Sequence, residues 1–187
     1  MAYTTAAAVK TYLGISGTGD DTLLGTLVAR AQAAIDRYCN RTFEASAASI
    51  RYFDALGPHI DGPVLYLDRD LCAITSVTNG DGATVTAYVT LPRNDTPYYA
   101  LKLKTTAGVL WTYSTDWEKA IAINGKWSFS ESAPADIVQA ADRLTAFYYR
   151  QKDAPLQDVT AIEAGVVIKP LAFPDDVRAL LAPYRRV

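Results

Sequence analysis

The residues of this chain best equipped for chemistry are one histidine, two cysteines, three tryptophans and a close group of aspartates. His59 stands in "LGPHIDGP", between turn-forming Gly and Pro, and no Ser-His-Asp or Cys-His arrangement can be completed around it. It reads as a loop residue. Asp54, Asp61, Asp68 and Asp70 in "DALGPHIDGPVLYLDRDL" could supply the paired acid and base of a hydrolase. Turns and solvent-facing strand positions carry aspartates at the same density, and the calcium-loop spacing with its distant Glu is absent. Trp111, Trp117 and Trp127, with Tyr98, Tyr99 and Tyr113, carry enough ring surface to stack on sugars or bases, or to form the core and rim of a small sheet.

Cys39, His59 and Cys72 are too few and too scattered for a zinc site, and the two cysteines read as free, small apolar side chains. In "GTGDDT", residues 17–22, a threonine replaces the third glycine of a dinucleotide fingerprint and two aspartates stand where phosphate would go. That stretch reads as a loop and a helix cap. The expectation is therefore a protein with no catalytic residues, no cofactor and no metal.

Composition agrees with a soluble globular chain. Half of the 187 residues are hydrophobic and 20% are charged, enough for a sizeable core in one domain or one domain with an insertion. A net charge of −2 argues against a protein that grips nucleic acid, since phosphate affinity comes from clustered Lys and Arg. No run of about eighteen apolar residues is present and the N-terminus lacks a signal-peptide pattern, so a cytosolic site of synthesis is expected.

Helical spacing governs both ends of the chain. Thr4 or Thr5 can cap a first helix through "AAAVKTYL", which Gly14 stops. After a short linker with Asp20 and Asp21 as caps, Leu24, Leu27, Val28, Ala31, Ile35 and Tyr38 recur on one side of a long helix that Asn40 closes. Helical spacing returns in "APADIVQAADRLTAFYYRQKD", where Ile137, Val138, Ala141, Leu144 and Tyr148 form a stripe suited to pack on the first. The expected helical core is thus Leu24, Leu27, Val28, Ala31, Ile35, Tyr38, Ile137, Ala141, Leu144 and Tyr148.

Between them, alternation replaces helical spacing in "SIRYFDA", "PVLYLD", "CAITSVT", "ATVTAYVTL", "YYALKLKT" and "KAIAINGKWSFS". "TNGDGAT", residues 78–84, is the strongest hairpin signal. These stretches predict a small antiparallel sheet. The last part is different: "PLQDVTAIEAGVVIKPLAF" has no helical stripe yet is too apolar for an ordinary tail, and "FPDDVRALLAPYRRV" reads as a short terminal helix. An apolar arm of this kind suggests docking through Val159, Ile162, Val167, Ile168, Leu171, Phe173, Tyr184, Arg185 and Arg186, with the rest of the fold expected to survive removal of residues 159–187.

With this layout assembled, the chain resembles the head-tail connector family of long-tailed bacteriophages, also called adaptor or head-completion proteins. The resemblance rests on "TTAAAVKTYLGISGTGDDTLLGTLVARAQAAIDRYCNRTFE", a short helix ending in Leu-Gly, paired aspartates before Leu-Leu, then a long Ala-rich helix ending near Asn-Arg and Phe. "SAPADIVQAADRLTAFYYRQKDA" and "DDVRALLAPYRRV" match the family's later helices, and the β region matches only in kind. The resemblance implies a virion neck subunit made in the host cytoplasm, assembled with copies of itself in a ring matching a twelve-fold portal. Its partners would be the portal protein, reached by the arm, and a downstream neck, stopper or tail completion protein. DNA would pass through the channel without sequence-specific binding.

The expected fold is α+β and mainly an α-helical bundle, an N-terminal helical hairpin (1–45) plus a returning long helix (132–153). A small antiparallel β-sheet region (46–131) is inserted, and an extended C-terminal arm ends in a short helix (154–187). Two other readings compete: a carbohydrate-binding or hydrolytic β-domain using the tryptophans and Asp54 to Asp70, and a different virion protein such as a tail-completion subunit.

Overall fold

The computed structural model of the chain describes residues 2–45, 47–153 and 173–186. Val159, Ile162, Val167, Ile168 and Leu171 of the expected arm lie outside the described residues. The chain divides into two compact units, one of residues 41–134 and one of residues 2–40 with those from 135 onward.

The second of these is helical. It holds α1 (Ala6–Leu13), α2 (Asp21–Cys39), α3 (Ala135–Arg150) and α4 (Asp175–Leu181). Thr5 caps α1 by accepting from the Ala8 N–H at 3.1 Å, and Gly14, at φ 68°, turns the chain out of it. Asn40 closes α2 in the same left-handed region, at φ 51°. The start of α2 departs from expectation: Asp20 occupies the cap position without a side-chain cap bond. Its carboxylate instead accepts from the Tyr149 hydroxyl at 2.5 Å and lies 3.3 Å from Lys152 Nζ, so two partners, one in the last turn of α3 and one just beyond it, replace one backbone N–H.

Helix α2 packs on α3, α1 packs on both, and α4 packs on α3. Leu24, Leu27, Val28, Ala31 and Ile35 of α2 and Ile137, Ala141 and Leu144 of α3 are buried, while Tyr38 and Tyr148 are half-buried. Val177 and Leu181 of α4 are completely buried. That overturns the expectation that the end of the chain is dispensable for folding, because removing it would uncover apolar surface on α2 and α3.

Residues 41–134 form seven strands, β1 (Ser49–Phe53), β2 (Ile60–Asp61), β3 (Val64–Leu71), β4 (Ala73–Thr78), β5 (Tyr88–Leu91), β6 (Tyr98–Leu103) and β7 (Ile121–Lys126). They make two antiparallel sheets, ordered β1-β7-β4 and β2-β3-β6-β5. Both sheets turn a face to one core, where Phe53, Leu65, Leu71, Leu101, Leu103, Ile121 and Ile123 meet. Period-two burial along β7, with Ile121 and Ile123 inward, is the alternation read from the sequence.

The expected fold class is corrected here. The chain is a mixed α+β protein, with four helices and two antiparallel sheets instead of one among the described residues, and is not a helical bundle. The reason is physical. A helix of eight or seven residues, such as α1 or α4, buries only one or two side chains, whereas two facing sheets bury a whole layer between them.

Candidate assembly surfaces

Most of the residues that could have done chemistry are engaged in contacts within the fold. His59 is half-buried, with its ring edge-on to Phe53 at 5.7 Å and its carbonyl accepting from the Tyr66 N–H. The four aspartates take four separate jobs. Asp54 accepts from the Lys119 N–H at 2.8 Å, Asp61 lies exposed on β2, Asp68 pairs with Arg51, and buried Asp70 lies 3.6 Å from Arg41 Nε. Among the described residues, no group of three His, Cys, Asp or Glu side chains is placed to hold a metal ion.

The tryptophans do not line up as an exposed platform. Trp111 is buried and donates to the Pro63 carbonyl at 3.0 Å, and half-buried Trp127 donates to that of Ser49 at 2.9 Å beneath the Arg51 guanidinium. Trp117 alone of the three is exposed. Both cysteines are free and buried, Cys39 against the Leu181 carbonyl and Cys72 against Ser128.

The described end of the chain lies against its own helices. Phe173 stacks on Tyr38 with centroids 5.2 Å apart, and Arg185 lies over that Tyr38 ring, also at 5.2 Å. Tyr184 donates to Asp136 at 3.0 Å, and burial raises its hydroxyl above the ordinary tyrosine range. The Arg186 N–H donates to the Cys39 carbonyl at 2.9 Å.

Two surface features stand out among the described residues. In the helical unit, an apolar groove of about 460 Å³ is lined by Leu23, Leu27, Tyr148 and Gln151, with Arg30 and Lys152 as its charges. Burial lifts the Tyr148 hydroxyl above its usual range. Lys152 is held by Asp20 and over the Tyr149 ring at 4.2 Å, whereas Arg30 makes no ion pair among the described residues.

The other feature belongs to the β unit. "TNGDGAT" forms the expected tight turn, with Thr78 bridged to Thr84 and the Asn79 N–H donating to the Ala83 carbonyl. Asn79 does more than turn the chain. At 2% exposure, its side-chain amide donates to the Leu110 carbonyl at 2.8 Å, and its oxygen accepts from the N–H groups of Gly80 and Thr112, each at 3.1 Å. Gly80 must be glycine for this, since a Cβ there would lie 2.4 Å from the Thr112 carbonyl oxygen. The consequence is a fixed backbone that presents Leu110, 72% exposed, beside a hollow of about 440 Å³ whose lining charge is Asp81. Sequence reading found the turn but missed Asn79 as a brace and Leu110 as a knob. The Asn-Gly pair signals only a local bend, and nothing in "AGVLWTY" marks which apolar residue points outward.

A family model described as "Head completion protein" matches residues 2–187. No curated protein gives a significant match. Among solved structures, a chain in the neck of an empty gene transfer agent particle, computed with C6 symmetry, is 19% identical with a TM-score of 0.63, covering 99% of this chain and 90% of that one. A chain in the neck of the native particle, computed with C12 symmetry, is 18% identical with a TM-score of 0.59, covering 97% and 88%. At these identities the likeness is one of fold. No helix among the described residues is long and apolar enough to cross a membrane.

Proposed function

Because the chain belongs to the head completion protein family, we propose that it is a structural subunit of a phage neck that assembles with its own copies into a ring beneath the portal. The observation that carries this reading is the family match over residues 2–187. The fold likeness to neck chains of particles solved with cyclic symmetry supports the ring. Such a ring extends the DNA channel and offers its far side to the next neck or tail protein. Its slightly acidic balance suits a conduit, because a basic wall would retain DNA.

Docking on the portal falls in this reading to the apolar arm of Val159, Ile162, Val167, Ile168 and Leu171, tethered at one end by Phe173. The contacts of one arm are few, and repetition around a ring multiplies them through high effective concentration. The test is the solution mass by light scattering of the chain alone and then mixed with the portal protein of the same genome. A ring, or a monomer that joins the portal in fixed stoichiometry, supports the reading. A monomer indifferent to the portal removes it.

A further inference from the structure

We propose that neighbouring copies meet head to tail, with the Leu110 knob of one β unit seated in the Leu23–Leu27–Tyr148 groove of the next copy's helical unit. The inference rests on the ring reading and names the surfaces that close it. A cyclic assembly needs two different, complementary faces on each subunit, because a face that meets only itself stops at a pair. Knob and groove are different faces, one on each unit of the chain.

Their shapes fit. Leu110 is the most exposed large apolar residue among the described residues and Val109 beside it is also exposed, so the knob keeps apolar area in water that a subunit could bury. Asn79 holds the backbone under it, so little order has to be gained on docking. The groove is lined by Leu23 and Leu27 with the Tyr148 ring, and its volume of about 460 Å³ exceeds that of one leucine side chain. It has room for Val109 as well.

Their charges fit too. Asp81 is the charge that lines the hollow beside the knob, and it is exposed, with one oxygen accepting from the Ala83 N–H at 2.9 Å. Arg30 and Lys152 are the charges that line the groove. Lys152 already shares Asp20, which leaves Arg30 as the cation for Asp81 of the incoming copy. Two copies brought together with these faces in register bury apolar surface on both sides and pair one carboxylate with one guanidinium at the rim.

The test uses two full-length variants, Leu110→Lys and Leu23→Glu, followed by sedimentation velocity alone and with the portal protein. Both positions are exposed, so each variant is expected to melt with the wild type. Leu110→Lys sets an ammonium against Arg30 and Lys152, and Leu23→Glu sets a carboxylate against Asp81. Each alone should weaken self-association by about tenfold or more. Mixed in equal amounts they should assemble again. The ammonium introduced on one variant's knob then meets the carboxylate introduced in the other's groove, and the unaltered knob meets the unaltered groove in the next contact. Variants that assemble like the wild type, or a mixture that fails to recover, overturn the interface while leaving the ring in place. A wild-type chain that stays monomeric under both conditions overturns the ring reading itself.

Discussion

The helical unit and the β unit are held together by different kinds of polar contact. In the helical unit most of the long-range ties run from side chain to side chain and end on carboxylates: Tyr3 on Asp36, Thr4 on Asp142, Tyr149 on Asp20, Arg143 on Asp176 and Tyr184 on Asp136. In the β unit most of them run from a side chain to backbone, as with Asn79, Trp111, Trp127, Asp54 and Ser130. Helices satisfy their own backbone, so only side chains are left to join one to another. Sheets leave loops whose carbonyls and N–H groups need partners. The lesson is that the helices are joined chiefly through the chemistry of their side chains, whereas the β unit is held chiefly by what its loops leave open on the backbone.

All three tryptophans lie in the β unit, so their fluorescence follows that unit while helical circular dichroism follows the other. The largest expected effect is that of Leu181→Ala, which empties a completely buried site on α4 and should cost about 2–5 kcal/mol. The helical signal should melt earlier while the tryptophan signal holds its midpoint. Equal shifts in both signals would mean that the units unfold as one, and the comparison between them would lose its force.

Gly125→Ala tests the other side. A Cβ on Gly125 would lie 2.3 Å from the Ala73 carbonyl oxygen and 2.7 Å from Leu71 Cδ1, so β7 would have to move away from β4. A cost of about 1–3 kcal/mol is expected, read this time as an earlier tryptophan transition with the helical one unmoved.

The smallest effect concerns pH. Burial raises the Asp36 carboxyl above its usual 3.8, with the Tyr3 hydroxyl bond opposing the shift. A raised folded value means that Asp36 favours the fold below pH 3.8 and that this contribution is lost as pH rises through the folded value. Asp20 has the opposite sign: the Tyr149 hydroxyl holds it below 3.8, so its contribution is present above that pH and lost as pH falls through its folded value. Asp36→Asn should therefore raise the helical midpoint at neutral pH relative to the wild type and lose that advantage in acid. An advantage that does not change with pH would show that the carboxyl's charge is not the cause.

Local signals were legible wherever one residue type dictates one conformation. Gly14 and Asn40 end their helices in the left-handed region, and "TNGDGAT" turns where it was expected to. The Asp20 cap was misread because a capping residue looks the same in sequence whether it bonds its own helix or a helix more than a hundred residues away. The second sheet was missed for a related reason. Alternating stretches predict strands, but the pairing of β1 with β7 and of β4 with β7, which separates them from β2, β3, β5 and β6, is set by contacts across the whole segment. Of the assembly surfaces, only the turn that carries the brace could be read in advance, since exposure of Leu110 is a property of the folded loop.

The Thr42 carbonyl accepts from the Phe129 N–H at 2.8 Å, Glu44 bridges to Ser130, and the Ser130 hydroxyl donates to the Phe43 carbonyl at 3.2 Å. The chain thus enters and leaves its β unit through adjoining positions. That closure is made inside the β unit, so the distance between its two ends does not depend on how much chain is threaded between them. A cassette attached in this way can be lengthened, shortened or exchanged over generations without renegotiating the helices. The β unit of such a subunit would then be free to follow the shape of whatever particle it joins.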